Sequence, residues 1–209
     1  MRPPSVTQSD VARYPGDLVD VPTFAFDGSY GDSQGGWGSV LLEPIGIIRA
    51  RKGPIVLDTI ASPEIRVGYI SNNTAELAAI IGTCRWVASL APLPTHVNFL
   101  FDSMWASNCA RCLWRARLNS TEVDAARRAL ESLSDLGITV RWSHARWHRG
   151  HFLNELADFT AKLGMGSSAT GELDLSSLRS LATGEVAALI DRHLELTIVD
   201  SRRVHEPEL

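Results

Sequence analysis

Residues 23–29, TFAFDGS, decide the fold: a short apolar run that ends in Asp27 and Gly28. Apolar residues at consecutive positions predict a strand buried on both of its faces. A carboxylate at the end of such a strand is costly unless it is paired or binds a cation. An aspartate followed by glycine is also an ordinary way to leave a strand, so these residues alone leave a plain turn and a metal site both open.

Composition restricts the class of protein. The chain has 209 residues, 44% apolar and 21% charged, as expected for one globular core with an appendage. No apolar run approaches the roughly 20 residues that cross a bilayer, and residues 1–5 lack the apolar centre of a signal peptide. Three cysteines are an odd and small number for a disulfide framework, so we expect an intracellular protein, cytoplasmic or nuclear, without a membrane partner. The net charge of -4 does not by itself indicate nucleic-acid binding.

The chain divides into three parts. Prolines and polar residues without periodicity predict a leader or linker over residues 1–20. Glycine and serine over residues 166–171 predict a flexible linker, after which residues 175–196 have the amphipathic spacing of one or two helices. We therefore expect a catalytic domain over residues 21–165 and a C-terminal extension, helical, over residues 166–209. A chain ending near Gly166 is predicted to fold by itself.

The periodicity predicts an α/β fold. Residues 37–42 pair with the first strand as a hairpin, and strand-like segments between residues 45 and 70 supply the third antiparallel strand, with open boundaries. Strands at residues 97–103 and 138–142 follow helices, which predicts parallel neighbours joined by right-handed crossovers. The expected architecture is a mixed five-stranded sheet, three antiparallel strands and then parallel ones, flanked by helices. These helices are predicted at residues 75–87, 104–117, 121–136 and 154–163.

Three further carboxylates can converge on Asp27. Asp102 ends a strand parallel to the first, so both side chains belong at the same edge of the sheet. Glu76 is expected in the first turn of a helix between them, where the helix dipole would also explain a carboxylate. Asp158 lies on the last helix of the catalytic domain. A hard, oxygen-ligated cation is favoured over a zinc site built from His144, His148 and His151.

These pieces, in this order and on these elements, resemble the ribonuclease H family. The matching stretches are FDGS at residues 26–29, NNTAEL at 72–77, FDS at 101–103, and a final segment in which His148, Asn154 and Asp158 keep the family's spacing. The resemblance covers about residues 23–163. It implies a type 1-like ribonuclease H that hydrolyses the RNA strand of RNA:DNA hybrids and leaves 5′-phosphate and 3′-hydroxyl ends.

The resemblance also implies a role for each residue. Two Mg²⁺ ions about 4 Å apart would activate water and neutralise the leaving oxygen, and Mn²⁺ would substitute for them. Asp27 would bridge both ions, Asp158 would hold the nucleophile-side ion, and Glu76 with Asp102 would hold the other. His148 would assist proton handling or product release. The residues implied in substrate binding are Gly28, Ser29, Asn72, Asn73 and Asn154, with Asn72 and Asn73 reaching the minor groove and its 2′-hydroxyls.

Departures from the family pattern concern substrate binding. The loop after Asp27 lacks the usual Asn-Pro-Gly, Met104 replaces a polar glutamine, and no Lys- and Trp-rich handle lies between Asp102 and His148. These departures suit a domain that relies for substrate binding on a neighbouring domain, such as a reverse transcriptase or another polyprotein domain. Two alternatives stay open: a non-catalytic hybrid-binding or scaffold module of a reverse transcriptase, and a DNA-cutting relative of the same fold. The four carboxylates count against the first, and the Asn72-Asn73 pair against the second.

Overall fold

The computed structural model describes residues 21–57, 65–145 and 151–203, with side chains as far as residue 194. The expected leader over residues 1–20 lies outside the described residues. None of the described helices is long and apolar enough to cross a membrane.

One mixed sheet organises the described residues. Its strands lie in the order β4-β3-β2-β1-β5-β6, and β7 pairs with β3. The strands are β1 (Thr23–Gly31), β2 (Gln34–Leu42), β3 (Ile48–Leu57), β4 (Ile65–Val67), β5 (His96–Phe101), β6 (Thr139–His144) and β7 (Gly171–Asp174).

The central architecture confirms the predicted fold class. β1, β2 and β3 are antiparallel, and β5 and β6 continue the sheet in parallel with β1. Within the described residues the sheet has seven strands rather than five, because β4 adds to β3 in parallel and β7 adds to it antiparallel. The strand-like segments at residues 46–50 and 54–57 form one strand, since Lys52 and Gly53 continue the ladder opposite Gly38 and Trp37.

The helices cover both faces of the sheet. Their bounds are α1 (Asn72–Ala88), α2 (Met104–Ala110), α3 (Ser120–Asp135), α4 (Phe152–Met165), α5 (Leu175–Leu181) and α6 (Gly184–Arg203). α1 packs on the face that presents Phe24 and Phe99, and α3 packs on α1 in the same apolar cluster. α4 packs on the face that presents Ala25 and Val40.

Two helix boundaries correct the sequence analysis. α1 begins at Asn72, because Ser71 and Thr74 exchange side-chain-to-backbone hydrogen bonds in a capping box. The prediction that Glu76 lies in the first turn was therefore wrong, since that turn holds no acidic residue. α2 ends at Ala110 instead of running to residue 117. The chain turns away there because Cys112 has a φ of 61° and the Leu113 N–H donates to the carbonyl of Asn108 at 2.8 Å.

The C-terminal extension is joined to the sheet by more than its linker. β7 forms an antiparallel pair with β3 over residues 49–52. Leu178 of α5 and Ile190 of α6 are fully buried in the cluster on the α4 face. The His193 ring of α6 stacks on Phe152 of α4 with 4.6 Å between the ring centroids. The extension thus contains the expected helices and covers part of the sheet's second face.

Candidate active site

Asp27 is the fifth of the nine residues of β1, and only 8% of it is exposed. The prediction that the strand ends at Asp27 was wrong, because the antiparallel ladder with β2 continues to Gly31. The backbone N–H of Gly28 donates to Asp27 Oδ1 over 2.7 Å. This local bond fixes the carboxylate without neutralising it. Residues 23–27 are buried and residues 28–31 are not, so the carboxylate follows the apolar run at the point where the burial of β1 ends.

Gly28 explains how α1 brings Glu76 to this carboxylate. A Cβ on Gly28 would lie 2.1 Å from the backbone carbon of Ala75 and 2.3 Å from the backbone nitrogen of Glu76. Only a residue without a side chain permits this approach of helix to strand. Gly28 therefore acts in the site through close packing, and Ser29 after it is partly exposed.

Asp102 follows β5, the parallel neighbour of β1. Residues 23–25 of β1 pair with residues 98–100 of β5, and the same register places Asp27 beside Asp102 just beyond the last parallel pair. Oxygen atoms of Asp27, Glu76 and Asp102 all lie within 4.8 Å of one another. The three carboxylates predicted to converge from separate elements do so.

Asp158 of α4 approaches the cluster from the other face of the sheet. Its helix lies directly on β2, because Cβ atoms on Gly36 and Gly38 would fall 2.4 Å and 2.6 Å from the backbone oxygens of Ala161 and Ala157. The group of mutually close oxygens found in the described residues does not include Asp158. Instead the Lys162 ammonium lies 2.6 Å from Asp158 Oδ2.

The clustered carboxylates shift each other's protonation. Burial, followed by the charges of Asp102 and Asp158, raises the pKa of Asp27 from 3.8 to about 7, against the opposing effect of the Gly28 N–H. Burial and the charge of Asp27, then of Asp102, raise the pKa of Glu76 well above its ordinary value. Without a cation, therefore, the site favours protonated or shared carboxyl groups near neutral pH.

The donor set fits a hard divalent cation. Carboxylate oxygens are the ligands that Mg²⁺ and Mn²⁺ take, and a bound cation would relieve the repulsion that raises these pKa values. The zinc alternative receives no support from the described histidines, since His144 packs against the Phe101 ring at 5.4 Å and the metal-capable group found consists of carboxylates. His148 lies outside the described residues.

The remaining predicted site residues separate into two environments. Asn72 and Asn73 are exposed at the start of α1, one turn before Glu76. Asn154 is only 5% exposed, and its Nδ2 donates to Asp102 Oδ2 over 3.2 Å. Sequence reasoning missed Lys162, although its spacing of four residues from Asp158 was a sufficient signal for a helical ion pair.

A cavity of about 530 Å³ lies apart from the carboxylates, between α1, α3 and β4. Its lining includes Arg66, Arg85 and Arg128 over a floor that contains Ile81 and Cys84. It shares no residue with the carboxylate cluster, which lies instead at the sheet edge.

The mixed sheet thus carries a buried aspartate on β1 and further acidic side chains on α1, after β5 and on α4. The family model of RNase H matches residues 21–166. The chain belongs to the RNase H family. No curated protein matches the sequence.

Solved structures share the fold. RNase H1 from the halophilic archaeon Halobacterium salinarum NRC-1 is 22% identical with a TM-score of 0.51, covering 68% of this chain and 96% of its own. The N-terminal RNase H domain of rv2228c from Mycobacterium tuberculosis, solved as a maltose-binding-protein fusion, is 17% identical with a TM-score of 0.52, covering 77% and 98%. LC9-RNase H1, a type 1 RNase H with the type 2 active-site motif, is 20% identical with a TM-score of 0.53, covering 82% and 86%. At these identities the likeness concerns the fold.

Proposed function

We propose that the protein is an endoribonuclease that hydrolyses the RNA strand of RNA:DNA hybrids and leaves 5′-phosphate and 3′-hydroxyl ends. The observation that carries the proposal is the convergence of Asp27, Glu76 and Asp102 within 4.8 Å at the sheet edge of an RNase H-family domain. Three acidic groups from separate elements, two of them with raised pKa values, are costly to a fold that does not use them.

The four carboxylates would hold the metal. Two Mg²⁺ ions, or Mn²⁺ in their place, would supply an activated water and neutralise charge on the leaving 3′-oxygen. By analogy with the family, Asp27 would contribute to both ions, since its carboxylate lies within 4.8 Å of those of Glu76 and Asp102. Asp158 would join them once Lys162 releases it. His148, with the family's spacing from Asp158, would assist proton handling or product release.

Substrate recognition would use the exposed start of α1. Asn72 and Asn73 have amides free to reach a nucleic-acid minor groove, where 2′-hydroxyls distinguish RNA from DNA. Gly28 and Ser29 would lie beneath the scissile strand. A reverse transcriptase or another polyprotein domain would supply further contacts, since the chain lacks the family's Lys- and Trp-rich handle between Asp102 and residue 148.

The test is a cleavage assay on labelled RNA:DNA hybrid, double-stranded DNA and double-stranded RNA, with Mg²⁺, Mn²⁺ or EDTA. We expect cleavage of the RNA strand of the hybrid with either metal and none with EDTA. Cleavage of DNA instead would establish a DNA-cutting relative. Binding of the hybrid without cleavage under every metal condition would establish a non-catalytic module.

A further inference from the structure

The family resemblance implies that Asn154 contacts the substrate, but the structure places this side chain in the protein interior. It lies in the first turns of α4, with 5% of its surface exposed. Its Nδ2 donates to Asp102 Oδ2 over 3.2 Å. A side chain this buried offers almost no surface to a nucleic-acid duplex, whereas it is in direct contact with a carboxylate of the site.

We propose that Asn154 is a positioning residue that holds the Asp102 carboxylate in its metal-binding orientation, and that it does not bind the substrate. The proposal rests on the proposed function, because it assigns Asn154 a part in the same carboxylate site.

Each carboxylate of the site has its own means of orientation. Asp27 accepts from the Gly28 N–H, Glu76 is placed by the contact of α1 with Gly28, and Asp158 pairs with Lys162. In the part of the chain that the structure describes, Asn154 is the hydrogen-bond donor to Asp102. Without it, the Asp102 side chain would be free to rotate about its χ angles at the strand end.

The chemistry of an amide suits this role. The NH₂ group donates to a carboxylate without carrying charge, so it orients Asp102 and leaves its negative charge for a cation. Lys162 acts differently on Asp158, because its ammonium neutralises the carboxylate. The reversed amide would place the Asn154 oxygen against the carboxylate oxygen, two acceptors face to face, so the bond runs from the Asn154 NH₂ group to Asp102.

The amide oxygen of Asn154 supports a functional role for this residue rather than a role in stabilising the fold. Asn154 Oδ1 is buried and has no hydrogen-bond partner among the residues that the structure describes. A buried acceptor without a partner destabilises the fold, and an apolar residue of similar volume would avoid that cost. An asparagine is expected at such a position when its hydrogen bond to Asp102 is needed for function, because the fold alone would be more stable with an apolar residue there.

α4 couples this bond to the fourth carboxylate. Asn154 and Asp158 are four residues apart, so they lie on the same side of the helix. The backbone of that helix is held against β2 at Gly36 and Gly38. One rigid element thereby orients Asp102 and carries Asp158.

The experiment compares Asn154→Ala with Asn72→Ala, an exposed residue assigned to the substrate. For each we would measure kcat and KM on RNA:DNA hybrid over a range of Mg²⁺ concentrations, and the Kd for Mg²⁺ by calorimetry without substrate. Loss of an outer partner of a metal ligand weakens metal affinity or activity by about 10- to 100-fold. We expect Asn154→Ala to lower kcat and weaken Mg²⁺ binding in that range with KM unchanged, and excess Mg²⁺ to restore part of the rate. Asn72→Ala should raise KM alone.

The opposite pattern of effects on KM and on Mg²⁺ affinity would overturn the proposal. A raised KM with parental Mg²⁺ affinity in Asn154→Ala would identify a substrate contact, and parental values throughout would leave Asn154 without a role. Asn154→Ser, which keeps a shorter donor, provides a second variant if the alanine fails to fold, and it should lie between parent and alanine in Mg²⁺ affinity. Calorimetry needs no substrate, so this result stands even if the parent cleaves no hybrid, which would count only against the proposed function.

Discussion

Two helices reach the carboxylate site from opposite faces of the sheet, and they deliver their acids differently. α1 touches β1 at Gly28 and places Glu76 within 4.8 Å of Asp27 and Asp102. α4 touches β2 equally closely at Gly36 and Gly38, yet its Asp158 pairs with Lys162. Close packing thus preassembles three carboxylates, whereas the fourth is paired with a lysine, which a cation bound to Asp158 would have to displace.

Disrupting the contact between α1 and β1 should have the largest effect on stability and cleavage. Gly28→Ala places a methyl group 2.1 Å from the backbone of Ala75, so α1 must move or the fold is lost. Overpacking against backbone costs about 3 kcal/mol or more, and the displaced Glu76 should end hybrid cleavage. Chemical denaturation and the cleavage assay measure both effects. Gly31→Ala on the same strand is the control, because a Cβ there meets nothing within 4 Å. Equal stability of the two variants would contradict the close approach.

The preassembled acids should make the metal-free protein sensitive to pH. Asp27 has a pKa of about 7 in the folded state and 3.8 ordinarily, so the folded state binds more protons between these values. The contribution of Asp27 to stability therefore falls as pH rises from about 4 to 7, by up to about 4 kcal/mol, while His151 and His193, whose pKa values burial lowers, act in the opposite direction. Denaturation of the parent and of Asp27→Asn in EDTA at several pH values isolates this contribution, and the parent should lose stability relative to the variant as pH rises. A stability difference between the two that does not change over this interval would contradict the arrangement.

The α4 face also depends on the C-terminal extension. Leu178→Ala removes a fully buried side chain from the cluster beneath α4, at a cost of about 2–5 kcal/mol. Leu181→Ala on the same helix, where the side chain is 49% exposed, should change stability by less than about 0.5 kcal/mol. Thermal melting of the two variants measures the difference. Similar melting temperatures in the two variants would indicate that the extension does not stabilise the catalytic domain, as its glycine- and serine-rich linker predicts.

The Lys162 pair should give the smallest effect on stability. An exposed i, i+4 pair contributes about 0.3–0.5 kcal/mol, so Lys162→Met should melt close to the parent. Because Asp158 is then free, we expect tighter Mg²⁺ binding in calorimetry by a few-fold. Arg85→Met, exposed in the last turn of α1 and so at the other end of that helix from Glu76, is the control and should bind Mg²⁺ as the parent does. Weaker binding in Lys162→Met would mean that the lysine supports the site.

The sequence was informative where physical rules act locally. The apolar run before Asp27 and the helix–strand alternation predicted the sheet order and the meeting of Asp27 with Asp102. It could not predict β7, whose residues GELD carry no strand pattern and which pairs only because the edge of β3 is open. The sequence also did not predict the contact of Asn154 with Asp102, because the family resemblance implies a substrate role for Asn154. The burial of this side chain depends on tertiary packing, which the local sequence does not reveal. His148 stays a prediction.

The central claim is that the carboxylates form a metal site at the expense of the metal-free fold, and Asp102→Asn tests it most directly. The asparagine keeps an oxygen to accept from Asn154 while removing one of the mutually repelling charges. Melting the variant and the parent, with and without Mg²⁺, is the measurement. We expect the variant to melt at an equal or higher temperature without Mg²⁺, to gain less from added Mg²⁺, and to leave the hybrid uncut. A variant that melts lower in EDTA and gains as much from Mg²⁺ as the parent would contradict the account.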